Sequence, residues 1–489
     1  MTASDAPAER ADPFPHLPDL ANAIRRLNRG SVLVVGDVML DSYVYGDVER
    51  ISLEAPVPIL KVQRELAVPG GAGNVMRNLG ALGSAVAFVS VVGDDVAGSE
   101  LTGLIGNHPA VEPWLLVQGG RRTTEKTRVI AQGGHHGHAM LRADREDTGA
   151  IHPKLADRLV RIACDAMAAT TVTVLSDYRK GVLAGDVPAR LIGAARKLGR
   201  RIVVDLRGRE YDRYAGADVL LTTRHDLARA CTIPPETDEA FATAAEKVRR
   251  VHDIGAVLVT SAEAGITLVH EGLWQHFPVD APDVMDLAGA GDTAVATVAA
   301  CLAAGLDLPV AARLATLAAG IVLGRIGTAV VQPGDLIAAL SPHGGALRKI
   351  VPRESITERA ERWRRRGWKT GLVQGCFDPL RAGHIHLLEQ ARAACDKLVV
   401  CVHDDASVER RKGPDRPLQH EALRAARLAS LSCVDLVMVI SDKDSGDLIQ
   451  TLRPEVLAGG ERTPEVEQVR GYGGQVLLAD RLSESSDAA

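Results

Sequence analysis

Short apolar runs that stop at a glycine constrain this chain more than any other feature. SVLVVG at 31–36 offers almost no polar position to either side of a strand, so as a strand it must be covered on both faces. Similar runs recur at 86–92, 172–176, 202–205, 217–221 and 256–260, with helix-period segments at 153–169, 187–199, 238–253 and 293–305 between them. Strand and helix alternating in this way predict parallel βαβ units and one α/β domain over 18–340.

The pattern breaks at Pro342, Gly344 and Gly345 and then restarts, which predicts a linker at 341–352 and a second domain at 353–489. A charged helix at 353–366 opens that domain. Strands are predicted at 371–375, 397–402, 434–440, 455–458 and 475–479, and helices near 384–395, 419–430 and 444–452. The result is a smaller doubly wound, Rossmann-like sheet. Two cores agree with the length, because 489 residues exceed what one core serves, roughly 250–300 residues. The acidic, Pro-rich segment 1–17 is expected to be a disordered tail without a signal sequence.

Charge and cysteine usage narrow the function classes. A net charge of −5 gives no general attraction for nucleic acid or an anionic membrane, and neither is expected as a partner. No run of about 20 residues is apolar enough to span a bilayer. The seven cysteines show no C-x-x-C pair, so reduced thiols in a cytoplasmic protein are expected. His135, His136 and His138 in GGHHGH (133–138) are read as an exposed loop, and no metal site is expected there.

Three segments carry the chemistry of the first domain. DLAGAGDT at 286–293 precedes an Ala-rich helix, so its glycines would leave N–H groups free at a helix N-terminus, an anion site. Asp292 is placed to take a proton from an attacking hydroxyl. PGGAGN at 69–74 adds side-chain-free backbone that a sugar can approach, and Asn74 can bond its hydroxyls. GDVMLD at 36–41 sets Asp37 and Asp41 at the carboxyl end of the first strand, where open α/β sheets bind ligands.

In this order the segments resemble the ribokinase-like sugar kinases. GDVMLDSYVYGDVERISLEAPVPILKV (36–62), LSDYRKG (175–181) and KTR (126–128) resemble the heptose 7-phosphate kinase branch, over about 30–338. The resemblance implies Asp292 as general base, with Gly289, Ala290 and Gly291 as the anion hole. Asp37, Asp41, Gly70, Gly71 and Asn74 would contact the sugar, Arg128 and Lys180 its 7-phosphate, and Glu263 and Gly265 the nucleotide. The chain departs from that family at Arg224 and Leu227, where an Asn-x-x-Glu pair is usual, at Asp205-Leu206-Arg207 in place of D-P-K, and at Ala288 in place of Thr.

In the second domain GCFDPLRAGH (375–384) follows a strand and opens a helix, and DASVERRKGPDRP (405–417) lies downstream. Both resemble cytidylyltransferase-like nucleotidyltransferases, in which an H-x-G-H array neutralises a triphosphate. Gly375, Phe377, Asp378, Gly383, His384 and Lys412 match the pattern. Arg381 stands in the first histidine position, Ala458 where a lysine is usual, and Ser485 and Ser486 in a shortened tail. Arginine carries charge to a phosphate but serves as no acid at neutral pH.

Together the two halves resemble bifunctional heptose 7-phosphate kinase / heptose 1-phosphate adenylyltransferases. The resemblance implies a homodimer that uses ATP and Mg2+, phosphorylates a heptose 7-phosphate at the anomeric hydroxyl and transfers AMP to heptose 1-phosphate; the departures at Arg381, Ala458 and the tail predict that the second activity is impaired. A kinase for another sugar phosphate with a vestigial second domain stays open, as does a non-catalytic regulator that binds nucleotide or sugar phosphate.

Overall fold

The computed structural model describes residues 9–10, 17–131, 138–231, 236–279, 284, 286–325, 327–340, 349–365, 367–442, 445–459 and 464–478. Most of the N-terminal tail, His135 and His136, residues 341–348 and Ser485 and Ser486 lie outside these. The chain divides into two compact units, Met1–Ala338 and Ala339–Ala489.

The first unit is built on β1 (Glu9–Arg10), β2 (Ser31–Gly36), β3 (Val38–Ile51), β4 (Pro58–Gly71), β5 (Ala85–Gly93), β6 (Val111–Gln118), β7 (Thr124–Ala131) and β8 (His138–Arg145). It continues with β9 (Val172–Asp177), β10 (Arg201–Leu206), β11 (Val219–Thr223), β12 (Ala256–Ser261), β13 (Gly265–His270) and β14 (Leu273–Pro278). Ten of these form one sheet in the order β1-β14-β13-β12-β11-β10-β9-β2-β5-β6. Its pairings are parallel except for β12–β13 and β13–β14.

The apolar runs are strands for the reason their composition suggests: Val32 to Val35 are all fully buried between layers. The sheet's antiparallel end, and a separate four-stranded sheet ordered β4-β3-β7-β8, are additions to the parallel pattern expected from sequence. β3 and β4 pair along nearly their whole length, from Val38↔Gly71 to Ile51↔Pro58, and bring PGGAGN back beside GDVMLD.

Three helices serve the first site: α1 (Ala72–Ala81), α2 (Arg224–Ala230) and α3 (Ala290–Ala303). All three start at the carboxyl-end side of the sheet, where the strand-ending motifs also lie.

The second unit has β15 (Thr370–Gly375), β16 (Lys397–His403), β17 (Leu436–Ile440), β18 (Val456–Gly459) and β19 (Gln475–Leu478), all parallel in the order β17-β16-β15-β18-β19. Successive side chains face opposite cores. Val373, Val400 and Val402 pack with Leu388, whereas Leu372, Val399 and Cys401 pack with Ile356 and Trp363. Helices α4 (Ala382–Ala393), α5 (Asp405–Lys412) and α6 (Glu421–Ala429) carry its motifs.

At Gly36 β2 passes so close to β9 that a Cβ would lie 2.1 Å from the Ser176 carbonyl oxygen. Gly36→Ala is therefore expected to force the strand ends apart and destabilise the first unit by roughly 1–3 kcal/mol. A urea midpoint equal to wild type would show that the junction relaxes freely.

Candidate functional sites

The residue around which the first site is arranged is Asp292, in the opening turn of α3. Gly289 caps that helix with φ +80°, and a Cβ there would lie 2.8 Å from Asn74 Nδ2. Its absence lets the buried Asn74 amide reach Asp292 Oδ2 at 2.8 Å. Oδ1 accepts the Tyr178 hydroxyl and lies 3.7 Å from Arg207 Nη2, which is also 3.7 Å from Asp205 Oδ1. Burial, and then the Asp292 charge, push the Tyr178 phenol well above its ordinary value, so it stays protonated and donates. Burial likewise raises Asp205 to about 6 against the opposing pull of Arg207.

Asp37 and Asp41 behave differently. Both Asp37 oxygens are taken by backbone, with Oδ2 accepting the N–H groups of Tyr178 (2.9 Å) and Lys180 (3.0 Å) and Oδ1 that of Val182 (3.0 Å). Burial, reinforced by Asp177, raises its carboxyl to about 6 despite those donors. Asp37 thus shapes the turn that presents Tyr178. Asp41 sits beside Gly70 and pairs with Arg128 at 2.9 Å across neighbouring strands. Gly71 forms the joint between β4 and α1. The Lys180 ammonium pairs with Glu146.

Beside the start of α3 lies a cavity of about 440 Å³, lined by Ala290, Gly291, Gly265, Arg207, Arg224 and Leu287 among others. Asp292, Asn74, Gly289, Ala290 and Gly291 therefore form one group with the cavity alongside, whereas Glu263 is exposed on the turn after β12, outside the lining. Tyr178 and Arg207 occur in segments whose motifs are visible in sequence, but their convergence on Asp292 comes from two separate strand ends.

In the second unit Gly375 leads into Phe377, at φ +47°, and the buried Asp378. Burial works against the Asp378 charge, but Leu418 N–H, the Arg416 guanidinium and Gln419 N–H together hold the carboxyl below its usual range. Its main-chain oxygen accepts Lys412 Nζ at 3.2 Å and Arg416 Nη1 at 3.0 Å, which brings the downstream motif to the loop. The buried Arg424 fastens the same region, donating to the carbonyls of Cys376 and His403 at 2.7 Å and to Asp405 at 2.6 Å. A Cβ on Gly383 would meet nothing within 4 Å, so the space beside the loop is open. Ala458 is buried in β18.

His384 stacks edge-on against Phe377, with centroids 5.4 Å apart, and its Nδ1 accepts the Arg381 N–H at 3.0 Å. Burial, followed by the charges of Lys412 and Arg381, lowers its pKa. The neutral ring therefore carries its proton on Nε2, ready to donate to an anion. A long-range ¹H–¹⁵N spectrum is expected to show the Nε2–H tautomer and a titration midpoint below the ordinary 6.5. A midpoint above 6.5 would contradict this electrostatic account.

Comparison with known proteins agrees with this architecture. The pfkB family carbohydrate kinase model matches residues 29–334, and the cytidylyltransferase-like model matches 372–477. The chain is 54% identical to the bifunctional protein HldE of Acidiphilium cryptum, covering 96% of this chain and 97% of that one. It is 46% identical to HldE of Paramagnetospirillum magneticum, covering 96% of each. Among solved structures, phosphofructokinase-2 from Escherichia coli in complex with substrates and products has the same fold as 64% of this chain, at a TM-score of 0.53 and 16% identity over 98% of its own length. The chain belongs to the bifunctional HldE family, with a pfkB-type carbohydrate kinase domain followed by a cytidylyltransferase-like domain.

Proposed function

We propose that the first unit transfers the terminal phosphoryl group of ATP to the anomeric hydroxyl of a heptose 7-phosphate, and that the second transfers AMP from ATP to heptose 1-phosphate, giving ADP-heptose. The observation that carries this reading is the buried Asp292 carboxylate, held by Asn74 and Tyr178 at the glycine-rich start of α3 beside the cavity. In the kinase step Asp292 accepts the hydroxyl proton as the sugar oxygen bonds to the γ-phosphorus and the bond to the β-phosphate bridging oxygen breaks. The free N–H groups at the start of α3 and the Arg207 guanidinium meet the negative charge that develops. Asp41, Gly70 and Asn74 hold the sugar, and Arg128 its 7-phosphate. In the second step an oxygen of the sugar 1-phosphate attacks the α-phosphorus of ATP and pyrophosphate leaves, with His384 Nε2–H and Lys412 bonding its oxygens.

Mg2+ would arrive with the nucleotide. Among the described residues the cavity lining supplies hydroxyls such as Thr223, Thr260 and Ser261 but no carboxylate, and these residues do not make a metal site of their own. A homodimer is supported by Ile51, Val62, Leu66 and Leu141, apolar side chains exposed on the four-stranded sheet. A cytoplasmic location is supported by the seven free cysteines. Among the described residues no helix is long and apolar enough to cross a membrane.

Asp292→Asn should lower the kinase rate by about 10²–10⁴ while ATP still binds. A wild-type rate would remove Asp292 as the base. For the second unit, Arg381 supplies charge without an imidazole's geometry, so adenylyl transfer should be slow. Arg381→His should raise pyrophosphate release from ATP plus heptose 1-phosphate by roughly 10-fold or more, up to the 10²–10³ that one aligned donor is worth. A drop in the histidine variant would mean that arginine is the working group.

A further inference from the structure

The nucleotide cavity contains a second arginine for which the kinase step above has no use. Arg224 opens α2 directly after β11 and lines the same cavity as Ala290, Gly291 and Arg207. Its guanidinium lies over the Phe241 ring, 4.7 Å from the centroid, and one Nη pairs with Asp238. The other Asp238 oxygen is 3.9 Å from His276 Nε2. Arg224 is thus held by one face and one edge, while its buried Nε has no hydrogen-bond partner among the described residues. The rest of the guanidinium belongs to a side chain on the wall of that cavity.

The neighbouring groups leave the charge uncompensated on the cavity side. Leu227, one turn on, is fully buried in the apolar core. Asp226 is engaged with its own turn, where Oδ2 accepts the Thr223 hydroxyl at 2.8 Å and its N–H donates back at 3.0 Å. Among the described residues the lining holds no carboxylate, and its permanently cationic groups are the two arginines, with His225 beside them.

We propose that Arg224 binds the polyphosphate of the nucleotide directly, through the part of its guanidinium that lines the cavity, so that Arg207 and Arg224 together form a two-arginine clamp. This rests on reading the cavity as the ATP site of the kinase. A permanently charged guanidinium suits phosphate oxygens, and the Phe241 and Asp238 contacts fix its orientation before the nucleotide arrives. The assignment places Arg224 in ground-state nucleotide binding, apart from the proton transfer at Asp292.

The test uses the full-length chain and two readouts. One is the ATP concentration that half-protects amides of the 256–268 segment from hydrogen exchange, which reports this cavity separately from the nucleotide site in the second unit. The other is the KM for ATP in ADP formation dependent on heptose 7-phosphate. In Arg224→Ala both should rise about 10–100-fold, as loss of a charge-assisted pair predicts. Arg224→Lys should rise less, and half-protection by adenosine should stay within twofold of wild type in both variants. An ATP dependence within twofold of wild type in Arg224→Ala would overturn the proposal, as would equal weakening of ATP and adenosine. If ATP protection weakens as expected but the wild-type chain phosphorylates no heptose 7-phosphate, the clamp stands and the substrate reading falls.

Discussion

A buried aspartate just beyond β2 in one unit and β15 in the other is the constraint on which both sites depend. Asp37 follows Gly36 and ties the backbone of residues 178, 180 and 182 to the end of β2. Asp378 lies shortly after Gly375 and ties the backbone of residues 418 and 419 to the end of β15. Each carboxylate joins segments far apart in the chain and converts a loop into a fixed wall. On the first wall stands Tyr178, which meets Asp292. Arg416 spans the second, and Lys412 reaches the same Asp378 carbonyl.

The two anchors differ in charge environment. Asp378 has a guanidinium beside it, and its carboxyl is held below the usual range. Asp37 has no cation of its own and lies near Asp177, so burial prevails and its carboxyl rises to about 6. The sign follows: Asp37's contribution to stability is complete below its ordinary 3.8 and fades as pH rises through about 6, whereas that of Asp378 is present above 3.8 and fades on acidification. The same kind of backbone-binding carboxylate thus favours opposite ends of the pH range, according to whether an arginine accompanies it.

Much of this was legible in the sequence because it is local. Largely apolar strands such as 31–36 and 397–402, and the glycine-containing helix starts near 289 and 383, declare themselves within a few residues. The four-stranded sheet did not. β3 and β4 are long, and their outer halves are largely exposed, so their reason for being strands is the pairing with each other and with β7, which no local pattern reveals. Tyr178 and Arg207 were likewise visible only as letters in their motifs. Their meeting at Asp292 depends on β9 and β10 ending side by side. Lys180, read as a phosphate ligand, has its ammonium on Glu146, a pairing set by a segment remote in sequence.

Arginine stands at three departures from the family motifs, and at two of them, Arg224 and Arg381, the surroundings give it different work. Arg224 is restrained by an aromatic face and a carboxylate, so its fork is already oriented and can act as a ligand at small entropic cost. Arg381 is fixed chiefly through its backbone, whose N–H sets the tautomer of His384, while its side chain adds to the positive charge that lowers the histidine's pKa. An arginine at that position therefore helps keep its partner neutral and donating. It cannot deliver a proton, as the imidazole it replaces could. The first substitution is thus compatible with a strong nucleotide site, while the second retains charge at the phosphate and loses the group that could move a proton there.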